Sequence, residues 1–291
     1  MVKLGIHPIN WSNDDFHELG GEITLETCLS EMQKAGYQGT ELGNKFPKDP
    51  LSIKNTLKGY DLKLISGWHS TFVISNNLES ELKSLENHIE LLKKAGSEIV
   101  ILAECTRSIH SVVGASLEFG EFDWLTLTEW ERLFRGMDLL AQFAINRGMK
   151  PVYHHHMGTV VQTKRHIRNL MKNTKYLQLL LDTGHLMVAG CDPLEIYDEF
   201  KDRITHIHTK NIRPKIRELG RQKSWDFKTC VCEGIFTVPG DGGMDYLPLF
   251  ERLQKDRYTG WLVVEAEQDP KRANALEYAQ IARRYFLENL K

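Results

Sequence analysis

The chain is short of several features that would each have announced a function. Its 291 residues hold no apolar run near the roughly 18–20 residues that a membrane span needs. It has no basic excess: the formal charge is −2 and the sequence pI about 6.6, which argues against a nucleic acid or an anionic membrane as partner. Five cysteines (Cys28, Cys105, Cys191, Cys230, Cys232) are odd in number and irregularly spaced, so no disulfide framework is expected and a reducing cytoplasm is. Cys230-Val231-Cys232 has the wrong spacing for a zinc pair and reads as structural, whereas Cys105 follows a strand exit and could line a site. The N-terminus opens directly on a strand-like Val2–His7, leaving no room for a signal peptide. Internal repeats and low-complexity segments are missing too, and nothing has the composition of a domain linker.

What is present is alternation. Strand-like and helix-like segments follow one another to the end, eight of each. Expected strands are 2–7, 40–42, 62–68, 98–103, 148–152, 178–182, 203–209 and 261–266. Between them run expected helices, of which 78–95, with leucines at 78, 82, 85, 91 and 92 and a stop at Gly96, is the longest. Strict βα alternation predicts a parallel sheet with right-handed crossovers. Eight units in this length predict an α/β fold of one domain over 1–291, a single (β/α)8 TIM barrel with a long insertion at about 211–238 that is a candidate lid. A doubly wound open sheet is the alternative, but His7-Pro8-Ile9-Asn10-Trp11-Ser12 is not the Gly-rich first turn it usually needs.

Barrel chemistry sits at the C-terminal ends of the strands. Eight of the twelve histidines fall on or just beyond strands, including the run His154-His155-His156, where alternation puts His154 and His156 on one face and His155 on the other. Other exits carry His7, Glu41, His69, Glu104, Asp182 with His185, His206 and His208 with Lys210, and Glu265 with Glu267. Each has an ordinary explanation: histidine stacking, Asp182 as a helix cap, a core histidine, or ion pairing of the two glutamates with Lys210. Together, one histidine of strand five, Asp182, His208 and Glu265 make a mixed imidazole–carboxylate set drawn from four strands. Such a set suits Mn²⁺, Co²⁺ or Zn²⁺ better than Ca²⁺.

These residues resemble the xylose-isomerase-like, or sugar-phosphate isomerase/epimerase, barrels. The resemblance is strongest to the branch whose members dehydrate a keto-inositol, on Asn10–Asp15, Glu41–Pro47, Tyr153–Gln162, Leu181–His185, Phe236–Gly242 and Val264–Pro270. It implies metal ligands at Asp182, His208 and Glu265. The strand-five glutamate of the superfamily falls on His154, so the fourth ligand is His154, His156, Glu267 or water. It also implies substrate contacts at His185 and Lys210, a divalent Co²⁺ or Mn²⁺, an association with glutathione, and a homo-oligomer.

The expected reaction on a small polyol ketone starts with loss of an α-proton, with Glu265 or Glu267 as base. His185, or an imidazole of the 154–156 run, would be the acid and Lys210 would neutralise the enediolate. Asn10, Glu41, Asn44, Lys45, Glu104 and His156 are expected around the ring hydroxyls, and Trp11 and Trp68 against its CH face. Rival expectations are a keto-sugar isomerase or epimerase with the same metal site, a metal-dependent endonuclease, and a non-catalytic sugar-binding protein.

Overall fold

In a computed structural model, which describes residues 2–120 and 122–290, eight parallel strands close into a barrel. They are β1 (Lys3–Ile6), β2 (Gly39–Leu42), β3 (Lys63–Thr71), β4 (Ile99–Glu104), β5 (Lys150–His154), β6 (Gln178–Asp182), β7 (Ile204–His208) and, after a small antiparallel pair β8 (Asn211–Ile212) and β9 (Phe236–Thr237), β10 (Trp261–Val264). Each barrel strand pairs with its sequence neighbour, and β10 closes the ring onto β1 with Lys3 opposite Trp261 and Ile6 opposite Val264.

The helices lie outside. They are α1 (Leu25–Ala35), α2 (Pro50–Gly59), α3 (Leu78–Ala95), α4 (Leu127–Asn146), α5 (Lys164–Lys172), α6 (Thr183–Val188), α7 (Pro193–Phe200), α8 (Pro214–Gln222), α9 (Phe227–Cys232), α10 (Leu247–Lys255) and α11 (Ala275–Asn289). Their ends are set by local chemistry. Asn77 caps α3 by accepting from the Ser80 amide and Gly96, at φ 103°, ends it; Thr126 and Glu129 form a reciprocal capping box on α4.

Period-two alternation divides each strand between two cores. Outward residues such as Leu102, Tyr153, Leu179, Leu181, Leu262 and Val264 pack under the helices. Inward residues Ile65, Ile99, Ile101, Val152, Leu180, Trp261 and Val263 fill the barrel's lumen, which is therefore a packed core with no channel through it.

The segment 211–238, expected as a long insertion, carries helices of its own. It holds α8 and α9, drawn together by the β8–β9 pair, where Asn211 faces Thr237 and Ile212 faces Phe236. Arg213 staples it, donating to the carbonyls of Gly234 and Phe236 and to Asp241 at 2.7 Å. Among the described residues, no helix is long and apolar enough to cross a membrane.

Candidate active site at the barrel mouth

The inward alternation that packs the lumen continues upward and changes chemistry. Two residues beyond Val152, Leu180, His206 and Val263 stand His154, Asp182, His208 and Glu265. One donor atom from each of these four lies within 4.8 Å of the others. His154 Nε2 is 3.2 Å from His208 Nδ1 and 3.6 Å from Asp182 Oδ2, and Glu265 Oε2 reaches His208 Nδ1 and stands 3.9 Å from His154 Nε2. Four ligands held tetrahedrally about 2.1 Å from an ion would be roughly 3.4 Å apart, so the spacing fits.

Two further observations support a cation there. Asp182 Oδ2 is buried and makes no hydrogen bond, which is costly for a carboxylate. Three buried carboxylates (Asp182, Glu265, Glu267) surround one buried ammonium, Lys210, at 2.7–3.7 Å, and a fourth, Glu41, lies below them. Burial alone would raise the Asp182 and Glu265 carboxyls. Lys210 and His185 around Asp182, and His208 and Lys210 around Glu265, hold both well below the usual range. The donor set fits a borderline divalent ion.

Asp182 does two jobs, one per oxygen. Oδ1 caps α6 by accepting the His185 amide at 2.8 Å, while Oδ2 faces the donor group. The cap does not use up the residue: the second oxygen is left free to act as a donor to an ion. The triple-histidine run obeys alternation: His154 and His156 face the mouth, whereas His155 turns outward and accepts the Asp182 amide at Nε2.

A second group sits beside the first. Lys210 Nζ, with no exposure, donates to Glu267 Oε2 at 2.7 Å and to His185 Nε2 at 2.9 Å, and lies 3.4 Å from Glu265 Oε1. Its stem crosses Gly184, where a Cβ would stand 2.4 Å from Lys210 Cγ. The glycine of Asp182-Thr183-Gly184-His185 is thus the space through which the lysine passes. Burial, His156 and Lys210 push the His185 imidazole well below its ordinary value, so it is a neutral acceptor. Its ring lies 3.8 Å, centroid to centroid, from that of His156 and between Phe227 and Phe236. His156 Nδ1 contacts the Met157 carbonyl at 2.8 Å and so carries a proton; Nε2 faces Glu267 Oε1 at 3.6 Å. Trp68 closes the other side, edge-on to His154 at 5.2 Å and to His156 at 5.9 Å.

Other expected substrate contacts are not brought to the mouth. Trp11 is buried outside the barrel, its indole N–H donating to Glu31 of α1 at 2.5 Å. Asn10 spends its amide on backbone, donating to the His7 and Val264 carbonyls and accepting the Ala266 amide. Lys45 Nζ donates to the carbonyls of Gly20, Gly21 and Ile23, tying down the β1–α1 loop. Asn44 is exposed and bonds to His17 and Asp14. Glu104 faces outward, accepting from Thr71, Val73 and Thr106. His69 stacks on His88 of α3, 5.2 Å between centroids, and Cys105 is buried with its thiol pushed up to about 12.

Glu41 differs from expectation in an informative way. It lies beneath the donor group, 1% exposed, and accepts from His206 Nε2 at 2.7 Å and from Ser66 Oγ. Its other oxygen is 3.0 Å from His208 Nε2. A carboxylate behind a ligating imidazole fixes which nitrogen carries the proton and leaves the other for an ion. Glu41 thus stands behind a candidate ligand, where a sugar contact was expected.

Sequence reasoning also missed two residues that loops deliver. His110 packs its ring on His156 at 5.1 Å and lies 3.9 Å from Asp15. Burial raises Asp15 to about 6. The loop that carries His110 is fastened down by the Ile109 amide on the Gly158 carbonyl at 2.8 Å, the Gly114 amide on Asp226, and the Leu117 amide on the Trp225 carbonyl. With this cover in place, Glu265 is 7% exposed and His156 5%.

Known proteins share both fold and length. Residues 3–288 match the family described as Xylose isomerase-like TIM barrel. The chain is 43% identical over 286 residues to an inosose dehydratase of Lacticaseibacillus casei, covering 98% of this chain and 96% of that one. It is 43% identical over 289 residues to an inosose dehydratase of Geobacillus thermodenitrificans, covering 99% and 97%. Two solved structures superpose on it: a probable 3-DHS dehydratase from Bacillus anthracis, with TM-score 0.69, 16% identity and all of both chains covered, and the IOLI protein with a bound zinc atom, with TM-score 0.68, 15% identity and 99% and 98% covered. At such identity these two speak for the fold. By its length-wide identity to the two dehydratases, the chain belongs to the inosose dehydratase family of xylose isomerase-like TIM barrels.

Proposed function

We propose that this protein removes water from 2-keto-myo-inositol (inosose) in inositol catabolism, yielding a trihydroxycyclohexane-1,2-dione, and that it does so with a divalent ion. The ring carries one ketone and five secondary alcohols. Loss of the α-proton and of the β-hydroxyl gives an enol that tautomerises to the second ketone.

The observation that carries this reading is the adjacency of two groups at the mouth, a four-donor set (His154, Asp182, His208, Glu265) and the His156–Glu267 pair, 3.6 Å apart. An ion held by the first supplies Lewis-acid stabilisation of negative charge on the substrate's oxygens. Of the two glutamates, Glu265 suits the base: its side chain is the more exposed, whereas Glu267 is clamped by Lys210. His185, buried and neutral behind its neighbour, is better placed to support His156 than to give up a proton itself. His156 is the acid that meets the departing hydroxyl, with the Met157 carbonyl and Glu267 fixing its ring. The ammonium of Lys210, taken up by Glu267 and His185, acts on the substrate as a fixed positive field.

The test is to strip the protein with chelator, reload it with Mn²⁺ or Co²⁺, add 2-keto-myo-inositol in deuterated buffer, and follow the ring protons by NMR. Metal-dependent formation of the deoxy-diketone is expected. Proton exchange or epimerisation without water loss would give the case to an isomerase, and inactivity with both metals, with and without glutathione, would overturn the reading.

A further inference from the structure

The opposite end of the barrel holds a second concavity, a bowl of about 830 Å³. Its walls are unusually cationic. Lys3, Lys63 and Lys150 begin β1, β3 and β5, and register points all three inward: Lys3 lies opposite Trp261, Lys63 opposite Gly39 and Lys150 opposite Ile99. Lys54 and Lys58, one turn apart on α2, and Arg257 complete the rim. Six cations against Asp61 and Glu98 leave a local surplus of four in a chain whose net charge is −2.

Helix C-termini gather at this face, and Lys58 in the last turn of α2 is explained by the helix dipole. Strand starts have no such dipole to answer, so the three inward lysines need another reason. Among the described residues only Lys150 of the six has a carboxylate within ion-pair distance, Glu98 at 3.1 Å. The floor is apolar, built from Ile65, Ile99 and the face of Trp261, over which Lys3 Nζ stands at 5.4 Å.

We infer that this bowl binds a small oligophosphate, with the phosphates among Lys3, Lys63 and Lys150 and any flat apolar part of the molecule on the Trp261 floor. Ammonium groups serve phosphate as mobile point charges. The volume lies within the range of small-molecule pockets, roughly 300–1,000 Å³. Two sources share this chemistry, a nucleoside triphosphate and free inorganic polyphosphate, and the floor distinguishes them.

Isothermal titration of the metal-loaded protein at low salt with ATP, inorganic tripolyphosphate and adenosine tests it. Both phosphates are expected to bind, adenosine alone not to, and added salt to weaken both. The triple variant Lys3→Gln, Lys63→Gln, Lys150→Gln should bind each phosphate at least about tenfold more weakly, with turnover of 2-keto-myo-inositol unchanged. Each single variant should lose part of that affinity, so the result stands if the triple one folds poorly. ATP binding more tightly than tripolyphosphate assigns the site to nucleotides; equal affinity assigns it to the inorganic anion. No heat with either, or undiminished binding by the variants, overturns the inference.

Discussion

Two layers of the same lumen, one step apart along the strands, differ as much as any two regions of this molecule. Val152, Leu180 and Val263 make a dry plug; His154, Asp182 and Glu265, two residues on, make a charged mouth. Backbone, direction and burial are shared, so only side-chain chemistry separates them. The plug stabilises the fold by removing apolar surface from water. The mouth is a cost to the fold, with four buried carboxylates partly offset by Lys210 and the histidines. The plug gives the mouth a rigid base, so that groups on four strands keep one geometry.

The largest effect should come from the mouth itself. Asp182→Ala removes both an ion ligand and the cap of α6. It should abolish metal retention, read by elemental analysis after desalting, and lower kcat by about a thousandfold or more. Next is the plug. Leu180→Ala should destabilise the protein by about 2–5 kcal/mol in denaturant while each folded molecule still binds the metal. Similar stability losses for both substitutions would erase the division between the layers. His156→Gln should keep the metal and lower kcat by about 10²–10⁴-fold. An unaltered kcat would return the acid role to His185.

Glu41→Gln, at the boundary between the layers, should weaken metal binding by about 10–100-fold and leave thermal stability of the metal-free protein close to the parent's. The smallest effect lies outside both layers. Burial, helped by the neighbouring His88, lowers His69 from 6.5 to about 4. The unfolded chain therefore takes up this proton first as pH falls, and the stability tied to the neutral ring is complete above pH 6.5 and lost toward 4. His69→Gln should make the loss over that window shallower in pH-dependent denaturation.

How much of this was legible in the sequence follows from where alternation operates. Within strands a residue's direction is fixed by its neighbour's, so alternation puts His154 with His156, His206 with His208 and Glu265 with Glu267 on lumen-facing phases, but which of each pair joins the donor group depends on the register between strands. The helix α3 falls on the expected bounds, with its stop at Gly96. Beyond a strand's last ladder bond the period ends. Asn10, Trp11, Asn44 and Lys45 lie in such exits, and there the loops' own hydrogen bonds decided their direction. Glu104 lies within β4, but on its outward phase. Glu41 was expected around the ring hydroxyls, but its depth beneath His208 depends on the register and bulge between β2 and β3, which a single strand's pattern does not contain. The six-residue α6 is too short to show a helical period, and His110 comes from a loop with no period at all.

Gly158 gives the cover over this mouth a kinetic meaning. It holds φ 77°, and a Cβ there would come within 2.9 Å of the His110 amide nitrogen. One methyl group, as in Gly158→Ala, would act as a doorstop under the loop. With the loop seated, Glu265 and His156 are almost closed off from solvent, and if it must lift to admit substrate, each turnover includes an unlatching whose rate is independent of bond breaking. If unlatching is the slower event, deuterium at the substrate's α-carbon will hardly slow the steady state, and the full isotope effect will emerge only when the latch is propped open.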